Sequence, residues 1–199
     1  MVQVAASIAH AAASAHLTKL AQLLELVPQP ALARAIDCLL AARAANRRVY
    51  VMGNGGSSAT ASHLVCDLVK TAGVAGTPPI RAFALTDNTP LLTAWANDRA
   101  FDWAFGEQIE ALVEPGDVVV AISASGNSPN VVNGLLAARG RGARTIGLLG
   151  FTGGAARDCV DIAVHVPCHD YGLVEDAHAA IGHAITAAIR AELLGRDAG

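Results

Sequence analysis

Apolar positions in the first 46 residues recur at helical spacing. Ile8, Leu17, Leu20 and Leu24 share one stripe of a helix predicted over 7–26, and Leu32, Ile36, Leu39 and Leu40 share another over 31–46. Val27-Pro-Gln-Pro30 breaks the period between them. From residue 48 the pattern changes to short apolar blocks alternating with helical stretches. Strands are predicted at 48–52, 81–85, 117–123, 144–149 and 162–166. Helices are predicted at 57–70, 91–96, 105–112, 130–141 and 173–194. The block at 117–123 is apolar at nearly every position, as in a strand buried on both faces. This alternation implies an α/β fold: a five-stranded parallel sheet flanked by helices, Rossmann-like or flavodoxin-like, behind an N-terminal helical pair. Residues 1–46 are expected to form a separate helical segment that packs on a second subunit or on its own domain, and 47–199 the main domain. Ligands of such sheets bind beyond the carboxyl ends of the strands, so the chemistry is sought there.

Composition narrows the classes. Of 199 residues 42 are alanine and only 4% are aromatic, so the apolar fraction of 53% is mostly small side chains suited to close helix packing. A net charge of -3 gives no electrostatic case for nucleic acid. No apolar run approaches the roughly 20 residues that span a bilayer. The opening residues lack a charged segment before an apolar stretch, so no signal peptide is read and a cytoplasmic protein is expected. Cys38, Cys66, Cys159 and Cys168 lack CxxC spacing and are expected to be reduced thiols.

Two small-residue loops follow predicted strands. Gly53-Asn-Gly-Gly-Ser-Ser58 precedes a helix, and its glycines let a ligand approach the backbone. It lacks the Gly-Lys-Ser/Thr ending of a P-loop and is not GxGxxG. Ser123-Ala-Ser-Gly-Asn-Ser128 offers three hydroxyls and a run of N–H donors at a helix start. One serine would suffice as an N-cap; three at this spacing point to phosphate, held without Lys or Arg.

These two loops, in this order, resemble the sugar isomerase (SIS) domain family and, within it, the phosphoheptose isomerases. Thr86-Asp87, Ala96-Asn-Asp98, Glu114-Pro-Gly-Asp117, Glu175 and His183 support the resemblance over essentially the whole chain. It implies that Ser123, Ala124, Ser125 and Ser128 bind the phosphate. Asn54, Gly55, Gly56 and Ser57, with Asn97 and Asp98, would contact the sugar. It also implies a homotetramer with active sites between subunits.

His63 and Asp67 lie four apart, about 40° around a helix, and so face one site. Glu175 and His183 lie eight apart, about 80° around and two turns along the last helix. Asp176 aligns with His183 better still on geometry alone. By resemblance, zinc, one ion per active site, would be held by His63, Asp67, Glu175 and His183, with Asp in place of the family's Glu and Glu in place of its Gln. Glu175 would also touch substrate. The implied reaction converts sedoheptulose 7-phosphate to D-glycero-D-manno-heptose 7-phosphate through an enediol, with Asp67 as base and His183 as acid. A non-catalytic sugar-phosphate regulator, like the DnaA-associating paralogue, and an isomerase of another phosphosugar are the alternatives. The other histidines, His10, His16, His165, His169 and His178, are expected to be structural or on the surface, with His169 and Asp170 beside the site.

Overall fold

The computed structural model describes residues 7–197. Helix α1 (Ile8–Glu25) starts where Ser7 accepts the His10 N–H, and α2 (Gln29–Ala44) carries Pro in its first turn, where the missing N–H is not needed. The chain continues through β1 (Arg48–Gly53), α3 (Gly56–Cys66), β2 (Arg81–Ala84), α4 (Thr89–Asp98) and α5 (Gly106–Leu112). It then forms β3 (Val118–Ser123), α6 (Pro129–Gly140), β4 (Arg144–Leu149), β5 (Ile162–His165) and α7 (Tyr171–Asp197). The five strands form one parallel sheet in the order β2-β1-β3-β4-β5.

Alternate side chains feed two cores. Val49 and Val51 of β1, with Val118, Val120 and Ile122 of β3, point to the side covered by α1, α2, α3 and α7. Tyr50 and Met52, with Val119 and Ala121, point to the side covered by α5 and α6. Every residue of β3 is buried, as its apolar run predicts. The direction in which successive strands are added reverses at β1, because β2 lies on one side of it and β3 on the other. That switch point opens a crevice at the carboxyl ends of these two strands.

One predicted helix is interrupted. The stretch read as 57–70 ends as α-helix at Cys66, and Asp67–Thr71 forms a π turn in which the Ala72 N–H reaches the Asp67 carbonyl at 2.8 Å. Such widened turns recur at functional sites. Helix α1 lies along α7, but Leu23 is its only buried residue, and Ile8 and Leu17 are exposed. Among the described residues no helix is long and apolar enough to cross a membrane.

Candidate active site

The two small-residue loops meet because β1 and β3 are neighbours, with Gly53 in register with Ile122. A Cβ on Gly53 would lie 2.7 Å from the Ser57 carbonyl and 2.9 Å from that of Ile122, so only glycine lets the backbones converge. Asn54 and Asn130 exchange reciprocal side-chain amide hydrogen bonds of 2.8 and 2.9 Å, tying the first loop to the start of α6. In the second loop Ser123 Oγ accepts the Gly126 N–H at 3.0 Å, and Ser125 Oγ accepts that of Asn127 at 3.2 Å. Gly126 adopts a left-handed φ of 67°, and a Cβ there would collide with the Gly153 carbonyl.

Between the loops lies a pocket of about 120 Å³. Asn54 and Ser57 line it from the first loop, Ser123, Ala124, Ser125 and Ser128 from the second, and Tyr171 and Glu175 from α7. Among the described residues no Lys or Arg lines it, so an anion there would be held by hydroxyls, N–H groups and the dipole of α6. Gly55 has a left-handed φ of 55°, and no atom of the described residues lies within 4 Å of where a Cβ would stand, leaving its backbone open to a ligand.

Two turns farther along α3 and α7, a cleft of about 170 Å³ holds His63, Asp67 and His183. The small residues Ala59, Ala179 and Gly182 line it and let the helices approach. His63 Nε2 and His183 Nε2 are 3.1 Å apart, and each lies 3.5 Å from Asp67 Oδ2. Asp67 is largely buried, whereas the side chains of both histidines are more than half exposed. Its second oxygen, Oδ1, accepts from the Thr71 hydroxyl at 2.9 Å across the π turn, which aims Oδ2 at the rings. Two imidazole nitrogens so close must share a proton or a cation. A tetrahedral ion with bonds of about 2.0–2.1 Å sets its donors about 3.3 Å apart, which the 3.1, 3.5 and 3.5 Å edges approach. The donor set of two imidazoles and one carboxylate therefore fits a zinc-like cation.

The other residues singled out from sequence are distributed differently. Glu175 does not join the metal-competent group: its carboxylate lies against Gly56 in the loop pocket, where a Cβ on Gly56 would collide with it. Eight residues of helix separate Glu175 from His183 by about 12 Å along the axis of α7. Asp176 turns away to pair with His16 of α1 at 2.7 Å. Asn97 and Asp98 are exposed at the end of α4 and hydrogen-bond to each other, lining neither pocket. Asp87 accepts from Ser62, beside His63, and so braces α3. Asp117 sits at the opposite end of the sheet, where its carboxylate accepts the Arg48 and Glu114 N–H groups. Asp170 caps α7 by accepting the Leu173 N–H at 3.1 Å, and His169 stacks on Phe151.

His178 is fully buried, and among the described residues neither ring nitrogen has a well-aligned hydrogen-bond partner. Burial, with a smaller effect from His165, pushes its pKa down to about 4; the nearby Leu149 carbonyl opposes the shift without forming a well-aligned bond. Sequence reasoning missed Thr71 and Asn130. Their signals were a hydroxyl four residues after Asp67 and an amide in the first turn after the serine loop.

A model of the SIS domain family matches residues 14–150. The chain is 45% identical over 168 residues to a phosphoheptose isomerase from Geotalea daltonii, spanning 83% of this chain and 86% of that one. It is 49% identical over 144 residues to the phosphoheptose isomerase of Geobacter sulfurreducens, spanning 71% and 75%. The fold superposes on the phosphoheptose isomerase GmhA of Neisseria gonorrhoeae with a TM-score of 0.84 at 32% identity, covering 91% of this chain and 96% of the other. With converging serine and glycine loops and a His-Asp-His cluster on adjoining helices, the chain belongs to the SIS domain family, among its phosphoheptose isomerases.

Proposed function

We propose that the chain interconverts sedoheptulose 7-phosphate and D-glycero-D-manno-heptose 7-phosphate, an aldose–ketose isomerisation. The supporting observation is the spacing of the two subsites. Ser57 and His63 are about 9 Å apart along their helix, and Glu175 and His183 about 12 Å along theirs. An extended chain advances about 1.2 Å per bond, so the eight bonds from C1 of a heptulose to its phosphorus span about 10 Å. A phosphate in the serine loop would bring C1 and C2 to the trio, a reach that a triose phosphate lacks.

The loop anchors the phosphate through Ser123, Ser125 and Ser128 and the backbone at Ala124, while Asn54, Gly55, Gly56, Ser57 and Glu175 line the path of the hydroxyls. Asp67 takes a proton from C1 and His183 gives one to the C2 oxygen, producing the cis-enediol; a proton then returns to C2 and one leaves O1, yielding the aldose, and each group moves protons only while its oxygen or nitrogen is off any bound ion. Thr71 holds the Asp67 carboxylate in orientation. His63, Asp67 and His183 would hold zinc, which when bound polarises the carbonyl and stabilises enediolate charge.

The exposed apolar positions of α1 suit packing against further copies of the chain in a tetramer. Asn97 and Asp98, remote from the pocket of their own chain, would serve a neighbour's site in such an assembly. The test is incubation with sedoheptulose 7-phosphate, with zinc or with a chelator, followed by NMR of the products. The aldose should appear, and chelation should slow its formation at least about tenfold. Bound sugar phosphate without isomerisation would favour the regulator reading instead.

A further inference from the structure

The loop pocket has one donor that the assignment above leaves unused. Tyr171 opens α7 and lines the pocket beside the serines, and its hydroxyl has no hydrogen-bond partner among the described residues. Its ring is held from behind. Phe151 meets it edge-on, with centroids 4.8 Å apart, and Phe151 itself stacks on His169 at 5.1 Å. Phe151 has a left-handed φ of 47°, which is costly for a bulky side chain. Its surroundings hold it there: its N–H donates to the Cys168 carbonyl at 3.0 Å, and its carbonyl is 2.9 Å from His165 Nε2. The strained backbone thus keeps an aromatic platform against Tyr171 at the mouth of the pocket.

We infer that Tyr171 is a phosphate-binding residue whose phenol donates to a phosphate oxygen, with Phe151 as its positioning residue. The inference rests on the reading of Ser123–Ser128 as the phosphate loop. The pocket contains no cation, and the Glu175 carboxylate, which only accepts when ionised, stands in its wall. A phosphate dianion in that setting needs every neutral donor within reach. The phenol supplies one without a second charge, and a hydrogen bond to a charged acceptor is stronger than one between neutral groups. Tyr171 and Glu175 lie four apart on one helix face, so the donor and acceptor faces of the pocket are set by the same turn of α7.

The probe is inorganic phosphate, titrated calorimetrically into the full chain, with KM and kcat for sedoheptulose 7-phosphate measured alongside. Tyr171→Phe, which removes only an unpartnered hydroxyl, should weaken phosphate binding about tenfold and raise KM similarly, with kcat within about twofold. Phe151→Asn keeps a residue that tolerates a left-handed φ but removes the ring; it should weaken binding about threefold. The double variant should bind no more weakly than Tyr171→Phe alone, because Phe151 acts through Tyr171. Unchanged phosphate affinity in Tyr171→Phe overturns the inference, and full additivity in the double variant overturns the role of Phe151. Wild-type protein that binds no phosphate overturns both, together with the role of the loop. Phosphate binding without turnover would sink the isomerase reading and leave this one standing.

Discussion

The serine-loop pocket and the His63-Asp67-His183 cleft lie on the same two helices but are built from opposite materials. The pocket is made of backbone, hydroxyls and glycine, and its polar groups already bond to one another, as in Ser123 with Gly126 and Asn54 with Asn130. The cleft is made of three side chains from two helices, with two ring nitrogens 3.1 Å apart and a carboxylate between them. The first is a rigid cradle that the fold assembles without a ligand. The second brings together groups that need a proton or cation among them. Binding and chemistry are therefore separable here, and mutations should divide accordingly.

The sharpest division is expected in the cleft. His183→Ala and Asp67→Asn should each lower kcat by a hundred- to ten-thousandfold, about 3–5 kcal/mol of barrier, while phosphate affinity is retained. The His183 side chain is 58% exposed, so its alanine variant should melt within a few degrees of wild type. Near-wild-type turnover in steady-state kinetics would remove the trio from the mechanism.

The cradle should fail in the other way. At Gly126 the left-handed φ of 67° and the Gly153 carbonyl exclude a side chain. Gly126→Ala should therefore cost about 2–3 kcal/mol in urea unfolding and abolish phosphate binding. Gly55→Ala, with a similar φ but open space around it, should cost only about 1 kcal/mol. Equal losses at the two positions would mean that the clash with the Gly153 carbonyl is not what shapes the cradle.

A further effect is confined to acid pH and concerns the core. The buried His178 ring stays neutral down to about pH 4, whereas in the unfolded chain it takes a proton near pH 6.5. Unfolding then takes up a proton, so stability falls as pH drops from 6.5 toward 4, by about 2 kcal/mol at pH 5. His178→Leu should flatten that slope in denaturant titrations at pH 7 and pH 5. An unchanged slope would assign the acid sensitivity to other groups.

Much of this was legible in the chain. The strands and longer helices are where periodicity places them, because period 2 and period 3.6 are properties of neighbouring residues. Both loops stand out because few roles other than close approach to a ligand call for glycine and serine in such runs. Helix spacing correctly set His63 beside Asp67. It misled for Glu175 and Asp176, since angles around a helix ignore distance along it and the helix that lies opposite. Glu175 meets Gly56, and Asp176 meets His16. The π turn at Asp67–Thr71 was invisible, because its hydrogen-bond pattern leaves no mark in the apolar period.

The chain alone determined the order of elements, the double-sided burial of β3 and the two small-residue loops at strand ends. Each depends on residues close in sequence, where local sterics and amphipathicity decide. Only the tertiary structure decided that residues 63 and 183 touch, that the Glu175 carboxylate lies against Gly56 in the loop pocket, and that Phe151 packs on Tyr171. These meetings follow from the crossover that puts β1 beside β3 and from the small residues that let α3 approach α7. Contacts across such separations are set by how whole faces pack, and no spacing within a single element contains that information.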